Sequence, residues 1–300
     1  MLNLRDEKDL NSSNYGYLMK LKNSIIDPLG KNIADDLHWI QLEEKWGLSK
    51  FPVVIGGEGP PLLCLHGFDS SFLEFRRIYP LLKNKFKLII PDLLGFGFSP
   101  RIPSINYNSE NIIINLTDII HKLKITQKIN IVGASMGGSV AFSLTKKIKT
   151  NIDKMILLSP AGLFTKPKRI PRPFNQMGAA FLGLPIVRKN LCRQAFAFPD
   201  QSVGVAEEQI ASIHLGCKGW RNSLACFAKS GGFGGTYENL KSIEIKTICG
   251  VDDRILGFDE LNKFQNINNL NLVRLKNCGH LPHLDLPQLT EKMIIDFLLN

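Results

Sequence analysis

The stretch VGASMGGSVA, residues 132–141, places one serine among small residues directly after a short apolar run, INIV (129–132). The run is typical of a buried strand, and a helix is expected after it. The pattern G-x-S-x-G alone is weak evidence, since glycine and serine are common enough to produce it by chance. Two interpretations are therefore open: a tight turn that exposes Ser135 as a nucleophile, or a glycine-rich loop that closes a strand.

Short apolar runs alternate along the chain with longer segments of helical period. In NSENIIINLTDIIHKL (108–123) the apolar residues fall on one helical face behind Ser109, which we predict as the N-cap, and the last segment of the chain repeats the pattern. This alternation predicts a mostly parallel sheet, preceded by one or two antiparallel strands in residues 38–59. The predicted parallel strands are LLCL (62–65), FKLII (86–90), INIV (129–132), MILL (155–158), IKTIC (245–249) and LNLVRL (270–275).

Small residues around Ser135 suit a sharp turn from strand to helix. Such a turn holds the nucleophile in strained backbone geometry, and Gly133 and Gly137 would leave the space that it requires. Gly138 would let the helix approach neighbouring strands. The N-terminus of the helix would direct amide hydrogens at a developing oxyanion.

A serine hydroxyl needs a base to become a nucleophile, and the base needs a carboxylate to orient it. GVDDR (250–254) follows the predicted strand IKTIC, and KNCGHLPHLDLP (276–287) follows LNLVRL. The carboxyl ends of parallel strands lie at one edge of a sheet, so these groups are expected near Ser135. Their order along the chain is serine, aspartate, histidine.

With these five landmarks in order, LLCLHGF, PDLLGFGFSP, VGASMGG, CGVDDRIL and NCGHLPHLDLP, the chain resembles the α/β-hydrolases from about residue 38 to residue 300. The resemblance implies an α/β-hydrolase fold: a mostly parallel sheet flanked by helices, with an inserted helical cap. We divide the chain into an accessory N-terminal segment (1–37), a first core part (38–161), the cap (162–235) and a second core part (236–300).

The resemblance also implies roles for individual residues. It makes Ser135 the nucleophile and His280 the base. It places the acid at Asp253, three residues after Gly250, with Asp252 as the alternative.

The oxyanion hole would be formed by the backbone amides of Phe68 and Met136. His66 and Gly67 would shape the turn before Phe68, with a structural role expected for the His66 side chain. His283 is expected to cap or pack the terminal helix. A zinc site of His280 and His283 lacks further ligands, so we expect neither a metal nor an organic cofactor.

Two further groups in these motifs have structural explanations. Phe68, Phe72 and Phe75 could line an acyl pocket or could simply pack the core. In DLLGFGFS (92–99) the family resemblance implies a loop beside the active site, to which we assign no chemistry.

The predicted function is a serine hydrolase that cleaves an ester-type bond of a small hydrophobic substrate. Serine at the turn, where related dehalogenases and epoxide hydrolases carry aspartate, argues against those two chemistries. A carbon–carbon bond hydrolase acting on ring-fission diketones is an alternative, although FDSSFLEF (68–75) replaces the glycine-rich stretch usual there. A non-catalytic lipid-binding protein on the same fold is another. DSSFLEFR and PDLLGFGFS resemble a branch from photosynthetic bacteria and plastids, which suggests lipid or pigment-ester substrates.

The net positive charge is distributed unevenly along the chain. Of the net charge of +10, residues 162–232 contribute +7, from ten Lys or Arg against three Asp or Glu. These charges could contact an anionic membrane through the cap or could simply be solvated. No nucleic-acid-binding motif accompanies them, so we expect no nucleic-acid partner. Six cysteines without a C-x-x-C pair and an N-terminus without an apolar signal region predict a cytoplasmic protein with reduced thiols.

Overall fold

An eight-stranded sheet lies at the centre of the computed structural model, which describes residues 14–300 except positions 48, 149–150, 166–167, 241, 257, 266 and 268–269. Strand β2 pairs antiparallel with both β1 and β4, and the remaining pairs are parallel. The order across the sheet is β1-β2-β4-β3-β5-β6-β7-β8. The strands are β1 Leu37–Gln41, β2 Lys50–Gly56, β3 Pro61–Leu65, β4 Lys87–Pro91, β5 Ile129–Ala134, β6 Ile152–Leu158, β7 Glu244–Gly250 and β8 Leu272–Leu275.

Each predicted parallel strand is present in this sheet, and the antiparallel pair before them is present as β1 and β2. The largest difference in bounds is at β6, which begins at Ile152 rather than at residue 155, and β8 begins at Leu272 rather than at residue 270. Asn271 has a φ of +41°, and this left-handed conformation cannot continue an extended strand.

Helices cover both faces of the sheet, so the central strands β3 and β5 are buried on both sides, while the edge strands β1 and β8 are partly exposed. Leu63 and Ile131 belong to one buried apolar cluster, while their neighbours Leu62 and Val132 belong to the other. The α-helices are α1 Asn14–Leu21, α2 Pro28–Asp35, α3 Tyr79–Leu82, α4 Ser109–Lys122, α5 Met136–Ile148, α6 Phe174–Leu182, α7 Pro185–Gln194, α8 Pro199–Ser202, α9 Val205–Ser212, α10 Trp220–Ser230, α11 Phe258–Gln265, α12 Pro282–Asp285 and α13 Pro287–Leu298. None of the helices in the described ranges is both long and apolar enough to cross a bilayer.

The N-cap of α4 is Asn108, one residue earlier than predicted. Asn108 has extended backbone angles (φ −135°, ψ 168°), and its Oδ1 accepts a hydrogen bond from the amide of Asn111 at 2.8 Å. Ser109 is already the first helical residue. Asparagine satisfies the free amides of a first turn as well as serine does, so the prediction of Ser109 was wrong by one position.

Five helices, α6 to α10, lie between β6 and β7 in the described part of the chain. They lie over the loops that follow the strands: the amide of His280 donates to the carbonyl of Ala195 at 2.9 Å. We call residues 162–235 the cap, and its division from the core remains a prediction.

Residues 14–35, which we call the N-terminal strap, connect the core to the cap. The hydroxyl of Tyr17 donates to the carbonyl of Ile213 at 2.9 Å. The side chain of Gln209 accepts from the amide of Ile26 at 2.8 Å and donates to the carbonyl of Ser24 at 2.9 Å. Residues 1–13 of the predicted accessory segment lie outside the described residues.

A buried ion cluster joins the strap, the core and the cap at one point. Arg76, which is 2% exposed, donates from Nε to Asp27 of the strap at 2.6 Å and from Nη2 to Glu207 of the cap at 3.1 Å. Burial alone raises the pKa of Asp27, but the hydrogen bond and charge of Arg76 outweigh it, and the pKa is lowered.

Candidate active site

Ser135 lies on the turn between β5 and α5, in a left-handed backbone conformation with φ of +50°. Its amide donates to the carbonyl of Leu158 in β6 at 2.9 Å, and its carbonyl accepts from the amides of Gly138 and Ala161 at 2.9 and 3.0 Å. A non-glycine residue in this conformation costs roughly 1–3 kcal/mol, which the surrounding structure must offset. The turn is therefore strained and held in place from both sides.

Glycine is required on both sides of this turn because the backbones approach too closely for a side chain. A Cβ at Gly137 would lie 2.0 Å from the carbonyl oxygen of Leu65 in β3. A Cβ at Gly133 would lie 2.6 Å from the carbonyl oxygen of Gly137. Gly133 and Gly137 therefore leave the space that the sequence analysis predicted for the turn.

A continuous chain of hydrogen bonds joins Ser135, His280 and Asp253. Nε2 of His280 lies 2.9 Å from Oγ of Ser135, and Nδ1 lies 2.8 Å from Oδ2 of Asp253. The three residues come from the loops after β5, β7 and β8. The structure thus brings together the three predicted residues, with the imidazole between the hydroxyl and the carboxylate.

Asp253, not Asp252, is the carboxylate that reaches His280. Its side chain is fully buried, and its Oδ1 accepts from the amides of Ile255 and Leu256 at 2.8 and 3.0 Å. Burial raises the pKa of Asp253, but the hydrogen bonds from His280 and the two amides outweigh it, and the pKa is lowered. Asp252 is exposed. Asp253 is therefore held as an ionised acceptor for the imidazole.

The two residues whose amides are predicted to form the oxyanion hole are neighbours of Ser135 in the chain or in the cavity. Met136 is the first residue of α5, and an amide in that position has no acceptor within its own helix. Phe68 lines the same cavity as Ser135. Both positions fit the predicted role, which no contact in the structure tests.

His66 and Glu74 hold the loop that carries Phe68. Nε2 of His66 accepts from the amide of Leu93 at 3.0 Å, so the buried ring connects this loop to the end of β4. Both carboxylate oxygens of Glu74 lie 3.2 Å from the amide of Gly67. These contacts give His66 the structural position expected from the sequence.

His283 packs away from the hydroxyl of Ser135. Its ring is fully buried and stacks on Phe75 at 5.2 Å, with Nε2 3.6 Å from Oε1 of Glu74. Within the described ranges, no three His, Cys, Asp or Glu side chains are grouped closely enough to hold a metal ion. All six cysteines are unpaired.

The three phenylalanines after β3 occupy different environments. Phe68 lines the cavity and is 45% exposed, whereas Phe72 and Phe75 are completely buried in the core cluster that contains Leu62. Phe68 alone of the three can contact a ligand, and the other two pack.

Ser135 and His280 open into a cavity of about 250 Å³. Most of its exposed lining is apolar and is shared between the cap and the core: the cap contributes Leu182, Leu191, Ala195, Phe196 and Ile210, and the core contributes Phe68, Ile255, Leu281 and Leu284. Five charged residues also line it, Asp69, Glu74, Arg76, Arg188 and Glu207. This volume is at the lower end of those that hold small molecules. The cavity can therefore bind an apolar group beside the Ser135 hydroxyl.

Asp69 is a site residue that the sequence analysis missed. It has a φ of +49° and is almost fully buried directly after Phe68, where it accepts from three cap residues: Arg188 at 2.6 Å, Trp220 at 2.7 Å and His214 at 3.2 Å. Burial raises the pKa of Asp69, but the hydrogen bond from His214 and the nearby cationic charges lower it overall. An acidic residue directly after the apolar run LLCLHGF was the available signal.

Comparison with known proteins gives matches over most of the chain. A family model described as alpha/beta hydrolase fold matches residues 60–186. The alpha/beta hydrolase domain-containing protein VTE7 of Arabidopsis thaliana is 28% identical over 299 residues, which cover 94% of this chain and 89% of that protein.

Two further relatives have names that state an activity. The 2-hydroxy-6-oxo-6-(2'-aminophenyl)hexa-2,4-dienoic acid hydrolase of Metapseudomonas resinovorans is 24% identical, with 81% of this chain and 85% of that protein covered. The human monoacylglycerol lipase ABHD6 is 25% identical, with 81% and 76% covered. Together with the sheet order and the turn at Ser135, these matches show that the chain is an enzyme of the α/β-hydrolase superfamily.

Proposed function

We propose that this enzyme is a serine hydrolase that cleaves a carboxylic ester or thioester of a hydrophobic substrate. The observation that carries the proposal is the hydrogen-bonded chain from Ser135 through His280 to Asp253, which opens into an apolar cavity. A hydroxyl, an imidazole and a buried carboxylate in this order are the groups that acyl transfer requires.

In the first half of the reaction, Oγ of Ser135 attacks the carbonyl carbon of the substrate while Nε2 of His280 takes its proton. The carbonyl oxygen becomes an oxyanion, which the amides of Phe68 and Met136 stabilise. Asp253 accepts from Nδ1 and keeps the imidazole in the tautomer whose Nε2 is free to accept. His280 then gives its proton to the leaving alcohol or thiol, and the acyl group stays on Ser135.

In the second half, water replaces the leaving group. His280 takes a proton from the water as it attacks the acyl carbon, and then returns a proton to Oγ of Ser135 as the acid departs. The chain supplies the nucleophile, the base and the oxyanion donors itself, so we expect neither a metal nor an organic cofactor. Incubation with a chelator should leave the rate unchanged.

Hydrolysis of a carbon–carbon bond is the second candidate, because a relative named for a dienoic acid hydrolase is 24% identical over most of the chain. The same three residues could serve that reaction. FDSSFLEF after β3 lacks the glycine-rich stretch expected for it, and the relative named as a lipase is about equally similar. The sequence similarities therefore do not separate the two reactions, and the missing glycine-rich stretch favours the ester.

The test is a substrate panel for the wild type and Ser135→Ala. We would measure hydrolysis of p-nitrophenyl esters of increasing chain length, an acyl thioester and a ring-fission dienone, together with covalent labelling by a fluorophosphonate. Turnover of the esters with labelling at Ser135, both lost in Ser135→Ala, supports the proposal. Turnover of the dienone alone would assign the second function, and absence of labelling in the folded wild type would indicate a non-catalytic lipid-binding protein.

A further inference from the structure

Helix α6 of the cap has one buried face and, separate from it, an exposed apolar face. Asn175 and Ala179 are buried against α10, where the side chain of Asn175 donates to the carbonyl of Ala225 at 2.9 Å. Phe174, Met177 and Phe181 recur at intervals of three and four residues and so form a separate stripe on the helix. They are 62%, 60% and 58% exposed.

The exposed stripe continues into neighbouring segments of the cap. Leu184 and Ile186, at the connection from α6 to α7, are 47% and 63% exposed, and Ile170 before α6 is 42% exposed. We call these six residues, Ile170, Phe174, Met177, Phe181, Leu184 and Ile186, the cap face. Single exposed apolar side chains are ordinary on a protein surface, but a cluster with two aromatic rings marks an interaction site.

The cap face does not roof the cavity. None of its six residues is among those that line the cavity, where the cap contributes Leu182 and Leu191 instead. In the described part of the chain the cap face is therefore an exposed apolar surface separate from the cavity.

Positive charge surrounds the cap face. Lys168, Arg169 and Arg172 are exposed beside Ile170 and Phe174, and in the described ranges no carboxylate lies within 4 Å of their cationic groups. Arg221 is also exposed, and its Nη2 lies 3.4 Å from the carbonyl of Gln176 on α6. With these four exposed cations beside it, the cap face repels a second copy of itself and suits an anionic surface.

We propose that the cap face is the site at which the enzyme docks on an anionic lipid bilayer. The aromatic and aliphatic side chains enter the boundary between headgroups and acyl chains, while the surrounding cations contact the headgroups. Leu182 and Leu191 line the cavity from α6 and α7, and Leu191 is itself 36% exposed. A lipophilic substrate can therefore pass from the bilayer towards Ser135 beside the docked surface. The docking goes beyond the proposed ester hydrolysis and does not depend on it.

The test is co-sedimentation of the full chain with vesicles of phosphatidylcholine, alone or with about 30% phosphatidylglycerol, at low and high salt. We expect binding to the anionic vesicles that weakens with salt. One variant carries Phe174→Gln, Met177→Gln and Phe181→Gln, and another carries Lys168→Gln, Arg169→Gln and Arg172→Gln. Each should lower partitioning to anionic vesicles by about tenfold or more.

Matched controls come from other exposed residues. Leu289→Gln with Leu299→Gln removes exposed apolar side chains elsewhere, and Lys122→Gln, Lys124→Gln and Lys128→Gln remove three exposed charges. Both control proteins should bind like the wild type.

Equal partitioning by the wild type and both cap-face variants would overturn the proposal. So would a dimer of the wild type that the apolar variant abolishes, since the cap face would then bind a second copy. Vesicle binding involves no turnover, so its failure would leave the hydrolase proposal standing. If Ser135→Ala loses ester hydrolysis but binds vesicles like the wild type, docking is independent of hydrolysis.

Discussion

Two adjacent carboxylates, Asp252 and Asp253, offer a matched pair for testing the role of the acid. We expect Asp253→Asn to lower turnover by about 10⁴-fold, because an amide in this place no longer fixes the imidazole tautomer. Asp252→Asn should retain wild-type turnover, since its side chain is exposed. Steady-state rates on a p-nitrophenyl ester measure both. A larger loss in Asp252→Asn would transfer the role to that residue.

Asp92 is a buried carboxyl that the proposed reaction does not use. Its two oxygens accept from the amides of Phe72 and Phe98, each at 2.6 Å. Burial raises its pKa to about 7, against the two amides and Arg101, which lower it. Between its ordinary pKa and about 7 the folded protein therefore holds a proton on Asp92 that the unfolded chain has released.

This difference predicts how Asp92 affects stability at different pH values. Its contribution is greatest below about pH 4 and is lost as the pH rises to about 7, a decline on the order of 4 kcal/mol in the free energy of unfolding. Asp92→Asn removes the titration, although it also costs an amide contact at every pH. The wild type minus Asp92→Asn difference, measured by urea unfolding, should therefore fall between pH 5 and pH 7. A difference that is constant with pH would contradict the raised pKa.

At the scale of single elements, the turn from β5 to α5 gives a sharp prediction about glycine. Gly137→Ala should lower the free energy of unfolding by about 3 kcal/mol or more, because the new methyl group would meet the carbonyl of Leu65 at 2.0 Å. Gly178→Ala in α6 is the control, since no atom lies within 4 Å of its added Cβ. That change should stabilise the helix by about 0.5–1 kcal/mol. Equal effects in thermal unfolding would show that the close approach is relieved at little cost.

Strands and helices with a strong local pattern were predictable from the sequence, and so were the candidate catalytic residues in the loops that follow the strands. Each parallel strand is a short apolar run, and the loops after three of them carry Ser135, Asp253 and His280. The helix start at Asn108 was missed because asparagine and serine are equally good caps in adjacent positions.

Contacts between segments far apart in the chain could not be predicted, because they leave no local pattern in the sequence. The position of Asp69 depends on Arg188, His214 and Trp220, which follow it by more than a hundred residues. No period or spacing in a single sequence connects an acid to partners at that distance. For the same reason, the bounds of the N-terminal segment that contains the strap could be predicted from the sequence, but the residues that the strap contacts could not.

At the scale of the whole molecule, the ion cluster around Arg76 predicts how strongly the strap is held. Asp27→Asn keeps the helix cap on the amide of Leu29 but leaves the charge of Arg76 without its partner in the strap. We expect a loss of about 3 kcal/mol in the free energy of unfolding, as for other buried pairs broken on one side. Asp35→Asn breaks only the exposed pair with Lys22 and should cost less than about 1 kcal/mol. Similar losses in both variants would mean that the buried pair does not secure the strap.

The strap also has a consequence for synthesis of the chain on the ribosome. Its partners in the cap are made long after it: Ile213 follows Tyr17 by 196 residues, and Gln209 follows Ile26 by 183. At about 5–20 residues per second, the strap waits roughly 10–40 seconds for the cap to emerge. During that time the apolar side chains of Leu18, Ile25 and Ile33, which end up buried, have no cap to cover them. The strap thus leaves the ribosome well before the cap that completes its packing, and a chaperone could act on it throughout that interval.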